Sequence, residues 1–379
     1  MKKTALLALI LAFGLVAASC GTSDDTTTTA AAVQATTTTA PPADTTTTTE
    51  DPIAAWPDTV TFGFIPSEQQ ETLAETVQPY MDYLSEEIGP TFEGVITADY
   101  NGLVVAMGAD QLDLGAFGPF GWVQADALYD QLGLLMQSIR FGSKTYHGQW
   151  MTNDPSICEE GTLLSGSSLE NQDGEIVQVD YFDAVALQVG VAFGDDGKEP
   201  EVLDDGTPVD PGTSCRADLD KVAGKSVAFT GPTSTSGGVF PQLQLVNEGI
   251  DIEEDLTYSY FQGSHTDTSA AVYNGDFDIG LSFDDARRNL RADNPDVGSK
   301  VIVFNITEEI PNDVVSFNTN SIPADLAQAI FDATKAFLAT DEGVLIFDEI
   351  YGWTDIQEAT DSDFDVVREA AEKLGVTEG

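Results

Sequence analysis

Residues 59–65 read Thr-Val-Thr-Phe-Gly-Phe-Ile and are followed by Pro66-Ser67 and then by Glu68–Glu87, where Leu73, Val77, Tyr80, Met81 and Leu84 recur at helical spacing. Alternation of apolar and polar residues predicts a strand, the proline breaks it, and the apolar stripe that follows predicts a helix packed on a sheet. Gly89-Pro90 closes that helix. The pattern repeats: a strand over 92–97 leads to a helix at 101–108, and a strand over 112–117 leads through Gly118-Pro119-Phe120 into another helix. Strand–helix alternation predicts an α/β fold, a mostly parallel sheet covered by helices on both faces.

The alternation restarts further along. Val227–Thr230 reads as a strand, Gly231–Gly238 as a loop and Val239–Asn247 as a helix, followed by strand 257–261, helix 267–274 and strand 277–282. Residues 313–318 (Asp-Val-Val-Ser-Phe-Asn) read as a strand returning to the first half, with helices at 323–339 and 342–351 completing it. Two α/β lobes are expected, one from 58–147 and 314–379, the other from 148–313. The stretch 153–215 departs from the pattern. It is rich in Gly, Asp, Glu and Pro, has one strand-like run at 184–193, and reads as an insertion on the second lobe. Cys158 and Cys215 bracket it. Outside the cytoplasm such a pair is expected to form a disulfide, the alternative being two buried thiols.

Composition narrows the function. The chain has 379 residues with 15 Lys+Arg against 64 Asp+Glu, a formal net charge of −49. Too few cations are present to neutralise a nucleic-acid backbone or to seek an anionic membrane surface. A small anion must be held by local dipoles, because the global field repels it. Three cysteines and two histidines argue against a disulfide-dense scaffold and against most zinc sites, so no metal or cofactor is expected.

The N-terminal segment reads as an export signal. Lys2 and Lys3 precede an apolar run at 5–16, too short to span a bilayer. Ala17-Ala18-Ser19-Cys20-Gly21 resembles a bacterial lipobox, with Ala17 where Leu is usual. The expectation is a signal over 1–19, Cys20 as the lipid-bearing residue and a tether over 20–57; a plain cleaved signal is the alternative. Fourteen of the thirty residues at 21–50 are Thr, a composition that cannot form a core and suits an exposed linker.

Several segments could carry chemistry. Thr230-Gly231-Pro232-Thr233-Ser234-Thr235-Ser236-Gly237-Gly238 follows a strand and opens a helix. Unpaired N–H groups at a helix start, glycines that allow close approach and four consecutive hydroxyls suit an oxyanion; a helix cap is the bland reading. Gly224-Lys225-Ser226 is not a nucleotide-binding loop, since Leu219 stands where its first Gly belongs. Gly263-Ser264-His265-Thr266-Asp267 is a second strand-to-helix junction, and His265 could donate to an anion or simply be a satisfied loop residue. Ser282-Phe283-Asp284-Asp285 ends a strand, where ligands of parallel sheets bind. A carboxylate there would accept a ligand proton or amine, or cap a helix. Tyr100 and Tyr146 could each lend a hydroxyl across a cleft, or merely pack.

Taken in order, Phe64-Ile65-Pro66-Ser67-Glu68, Ala98-Asp99-Tyr100-Asn101-Gly102, Gly115–Phe120, Thr145-Tyr146-His147, Ser234-Thr235-Ser236-Gly237, Gly263-Ser264-His265 and Ile310-Pro311-Asn312-Asp313 resemble substrate-binding proteins of ABC transporters for phosphonate, phosphite and phosphate. The likeness covers about 58–152 and 216–340. It implies a two-lobed clamp of the periplasmic-binding type, its lobes joined by two crossover strands. It implies that Ser234, Thr235 and Ser236 hold the ligand oxygens, with Tyr100, Tyr146, His265 and Asp284 around them, Asp285 fitting almost as well as Asp284. The insertion and Trp122, where Tyr is common, depart from the family pattern. The expected function is a lipid-anchored, monomeric extracytoplasmic receptor that closes on a small phosphorus oxyanion and delivers it to a membrane permease and its ATPase. A sensor for a membrane receptor, a sulfonate-binding protein and a hydrolase using His265 with a serine of 233–236 are the alternatives.

Overall fold

A computed structural model describes residues 56–376 apart from 69, 141, 166–181, 183–211 and 262–263. The export signal, Cys20, nearly all of the Thr-rich stretch, the run at 184–193 and Gly263 lie outside the described residues. In chain order the strands are β1 (Thr59–Phe64), β2 (Thr91–Ile96), β3 (Leu114–Phe117), β4 (Leu132–Ile139), β5 (Thr145–Tyr146), β6 (Gly148–Thr152), β7 (Leu164–Ser165) and β8 (Thr213–Ser214). They continue with β9 (Ser226–Phe229), β10 (Thr257–Tyr260), β11 (Ile279–Phe283), β12 (Ile302–Ile306), β13 (Ile310–Pro311), β14 (Val314–Asn318) and β15 (Asp355–Glu358).

Among the described residues, these strands form a sheet of order β15-β4-β14-β3-β1-β2 and another of order β10-β9-β11-β6-β12-β8-β7. Both sheets are mixed. β2, β1 and β3 are parallel, as are β10, β9 and β11, because a helix connects each strand to the next. β14 runs antiparallel to β3 and β4, and β6 antiparallel to β11 and β12, because these strands enter from the other lobe instead of from a crossover helix. The two passages between lobes lie side by side: β5 pairs antiparallel with β13, Tyr146 opposite Ile310. The fold is therefore a two-lobed α/β clamp with two crossover strands. The edge strand β15, the long β4 and a C-terminal helix at Asp365–Leu374 extend the first lobe beyond what the sequence pattern announced.

Period-two alternation builds the cores. On β6, Trp150 joins Val227, Phe229 and Leu281 on one face while Met151 joins Val272 and Val303 on the other. The first lobe buries Phe62, Phe64, Tyr80, Leu114 and Phe347. Helix α1 (Gln70–Ile88) supplies Leu73, Val77, Tyr80, Met81 and Leu84 to that core, the stripe read from the sequence. Cys158 and Cys215 are bonded, with Cα atoms 5.6 Å apart, and Cys215 is fully buried beside Ile157 and Val222.

Candidate functional site

Four helix or turn starts converge between the lobes. Helix α2 (Tyr100–Gly108) begins with Tyr100 behind the cap Asp99, whose carboxylate accepts from the Gly102 N–H at 2.7 Å. Helix α3 (Pro119–Leu128) opens after Gly118 with Pro119 at its first position, which leaves the Phe120 N–H unpaired within the helix. From the other lobe comes the wide turn Thr235–Val239, capped by Ser234 and leading into helix α4 (Phe240–Asn247). Helix α5 (His265–Asn274), capped by Ser264, presents His265 at its start.

These elements enclose a small cavity. The space open to the centre of a water molecule is about 20 Å³, and the walls include Tyr100, Tyr146, Ser234, Thr235, Ser236 and His265 together with Gly118, Phe283 and Tyr351. Six of the seven ligand residues expected from the sequence are thus brought together. Tyr100 pairs with the side chain of Ser234 and Tyr146 with that of Ser236. The Phe120 N–H donates to Thr235 Oγ1 at 3.0 Å. Burial pushes both tyrosine hydroxyls well above their ordinary pKa, so they remain donors at any working pH.

His265 is a neutral imidazole. Burial, and secondarily Arg140, lower its pKa from 6.5 to about 3. Nδ1 lies 2.9 Å from Ser282 Oγ and 3.2 Å from Thr230 Oγ1, and Nε2 lies 3.4 Å from Ser234 Oγ. The alternative of a Ser–His hydrolase would need a carboxylate on Nδ1 to orient the ring. Hydroxyls stand there instead, and the Ser234 contact is long for proton transfer.

Asp284 is placed elsewhere. It is not among the residues lining the cavity: its Oδ1 accepts from the His147 N–H at 3.1 Å and its Oδ2 lies 3.2 Å from His147 Nδ1. Asp285 is taken up by the buried Arg287 side chain. The carboxyls on the cavity wall are Glu68 and Asp313, and the cation is Arg140. Arg140 Nη2 donates to Asp313 Oδ2 at 2.5 Å, with side-chain exposures of 11% and 10%. Its guanidinium stacks on the Tyr146 ring at 5.0 Å from the centroid, and its Nε has no partner among the described residues. The site is not lined by neutral donors alone. Glu68 and Asp313 stand inside segments that the sequence already singled out, so their signal was present but unassigned. Arg140 belongs to no motif, and its place follows only from the crossing of β4 into β5. Among the described residues no cluster of three metal-binding side chains occurs.

A family model described as the periplasmic substrate-binding protein of phosphonate ABC transporters matches residues 62–364. The chain belongs to this family. It is an extracytoplasmic substrate-binding component that works with an ABC permease and ATPase, and the family is one of binding proteins and not of enzymes. Among its relatives is the phosphate-import protein PhnD of Mycolicibacterium smegmatis, 25% identical over 347 residues, covering 84% of this chain and 87% of the relative. The fold is that of PhnD1 from Prochlorococcus marinus, solved in complex with methylphosphonate: TM-score 0.61, 17% identity, covering 84% of this chain and 99% of that one. A binding component of a phosphonate ABC transporter from Pseudomonas aeruginosa superposes with TM-score 0.59 at 16% identity, covering 84% and 87% of the two chains.

Proposed function

We propose that this phosphonate-family binding protein takes a compact phosphorus oxyanion, of the size of phosphate, phosphite or methylphosphonate, into the cavity between its lobes. The observation that carries the reading is the convergence of side-chain hydroxyls from both lobes, Tyr100 and Tyr146 against Ser234, Thr235 and Ser236, on a space of about 20 Å³. Neutral hydroxyls and a neutral His265 can donate to ligand oxygens without requiring counter-ions. The unpartnered Nε of Arg140 adds a charged donor that a bound anion would satisfy. Lobe closure is the capture step, since the ligand touches groups from both lobes only in the closed form. The small volume favours compact anions over those with a long substituent. Cys20 is proposed to carry a lipid anchor, with the Thr-rich stretch after it as a tether, and the chain to act as a monomer.

Calorimetric titration of a chain beginning near Asp58 with phosphate, phosphite, methylphosphonate and 2-aminoethylphosphonate tests the ligand class. One-to-one binding is expected, strongest for the compact anions. No heat with any of the four rejects the reading. Release of the Cys20→Ser protein from the membrane fraction tests the anchor.

A further inference from the structure

Glu68 is a carboxyl on the cavity wall that no lysine or arginine of that wall pairs with directly. It follows β1 in the first lobe and lines the cavity beside Tyr100 and His265. Its carboxyl is held from the second lobe: Thr266 Oγ1 donates to Glu68 Oε2 at 2.6 Å and accepts from Asn289 Nδ2 at 3.1 Å. The neighbouring His265 N–H donates to the Ser67 carbonyl at 3.0 Å, which fixes the backbone beside it. These bonds tie a carboxyl of the first lobe's cavity wall to the second lobe.

The charges facing it compensate it only in part. Arg140 is matched by Asp313, and Arg288 by Asp348 at 3.1 Å. His265 is neutral, and the Tyr100 and Tyr351 hydroxyls stay protonated. Arg288 and Arg140 act on Glu68, but each already holds another carboxylate, so neither is a full counter-ion for a second negative group. Two acids in one enclosed space do not both ionise fully, and they titrate as a pair. Repulsion between an ionised Glu68 and a fully ionised guest exceeds what one charged hydrogen bond returns. One shared proton converts that repulsion into a short O–H···O⁻ bond.

We infer that Glu68 is a specificity-determining residue that makes binding conditional on one proton held between its carboxyl and the bound oxyanion. This rests on the phosphorus-oxyanion reading above. The site then favours guests that keep an acidic hydrogen, such as monohydrogen or dihydrogen phosphate, over the permanently deprotonated tetrahedral sulfate. With phosphate the hydrogen comes from the ligand. With sulfate Glu68 must take it from solvent, which burial favours by raising its carboxyl above the ordinary value.

The test titrates inorganic phosphate and sulfate against the protein and its Glu68→Gln variant from about pH 5.5 to about pH 9. For the wild type, sulfate affinity is expected to fall about tenfold per pH unit at the alkaline end, the signature of one linked proton, while phosphate affinity stays level there because monohydrogen phosphate brings the hydrogen itself. Sulfate is expected to bind at least a hundredfold more weakly than phosphate at neutrality, with uptake of about one proton, read from calorimetry in two buffers of different ionisation enthalpy. Gln offers an N–H without a charge, so Glu68→Gln should gain tenfold or more for sulfate and lose the alkaline slope. The proton count on the wild type decides the matter even should the variant not fold. Sulfate binding without proton uptake, or identical pH profiles and phosphate-to-sulfate ratios in the two proteins, overturns the role of Glu68 while the ligand class stands. Absence of binding by phosphate, phosphite and methylphosphonate at every pH overturns both.

Discussion

The Phe120 N–H and the Thr235 hydroxyl meet at 3.0 Å, joining the first turn of a helix in one lobe to the hydroxyl-rich turn of the other. The amide is one that the helix itself cannot satisfy, and Thr235 is buried, so the bond is made in a dry place. Thr235 Oγ1 accepts from Phe120, which leaves its hydrogen for a guest.

Thr235→Ala should therefore weaken phosphate or methylphosphonate binding by about tenfold or more. Loss of a hydrogen bond to a charged group costs roughly 1.5–3 kcal/mol. Thr235→Ser keeps the hydroxyl and should stay within a few-fold of wild type. Calorimetry on the pair checks this; equal affinities for Ala and wild type would remove the turn from the site.

The turn has no room for a larger residue at its two glycines. A Cβ on Gly237 would lie 2.2 Å from Thr230 Oγ1, and one on Gly238 would lie 2.0 Å from the Gly231 carbonyl oxygen. Thr230 cannot retreat, because it is fully buried and donates to the Leu281 carbonyl at 2.9 Å. Gly238→Ala should cost about 1–3 kcal/mol as overpacking and abolish tight binding, read as a lower melting temperature together with lost ligand stabilisation.

His265 gives stability a pH dependence. Its pKa is 6.5 unfolded and about 3 folded, so between those values the unfolded chain holds the extra proton. Its contribution is complete above 6.5 and is lost as pH falls, by up to about 1.4 kcal/mol per pH unit. Glu68 and Asp284, both raised by burial, act in the opposite sense. The measurement is the difference in urea midpoint between wild type and His265→Gln, ligand-free, at several pH values. The two curves should converge as pH decreases; parallel curves would contradict the neutral imidazole.

The Cys158–Cys215 bridge closes a separation of 57 residues. In the chain-entropy model such a loop contributes roughly 4 kcal/mol. Reduction, or the double Cys→Ser variant, should lower the urea midpoint markedly. Neither cysteine lines the cavity, so affinity measured on the folded fraction should change little. A change in affinity larger than the change in stability explains would tie the bridge to the site.

How far the residues spoke for themselves depended on the range of the signal. The apolar stripe of α1 was legible because five side chains three and four apart can share only one face of a helix. The hydroxyl turn was legible because four donors in sequence at a helix start exceed what a cap needs. For Asp284 the strand end alone did not decide its partner. It ends a strand at the expected depth, yet β11 pairs with β6, Phe283 opposite Gly148, and Asp284 meets His147 instead of the cavity.

By itself, the amino-acid order determined the α/β alternation, its restart in a second lobe and most of the hydroxyls that line the cavity, because each of these is written in near neighbours. Only the tertiary structure decided which charges stand among those hydroxyls. Glu68 is anchored by Thr266, 198 residues away, and Arg140 is matched by Asp313, 173 residues away. Such meetings depend on how two chain crossings lie beside each other, and no local pattern encodes that.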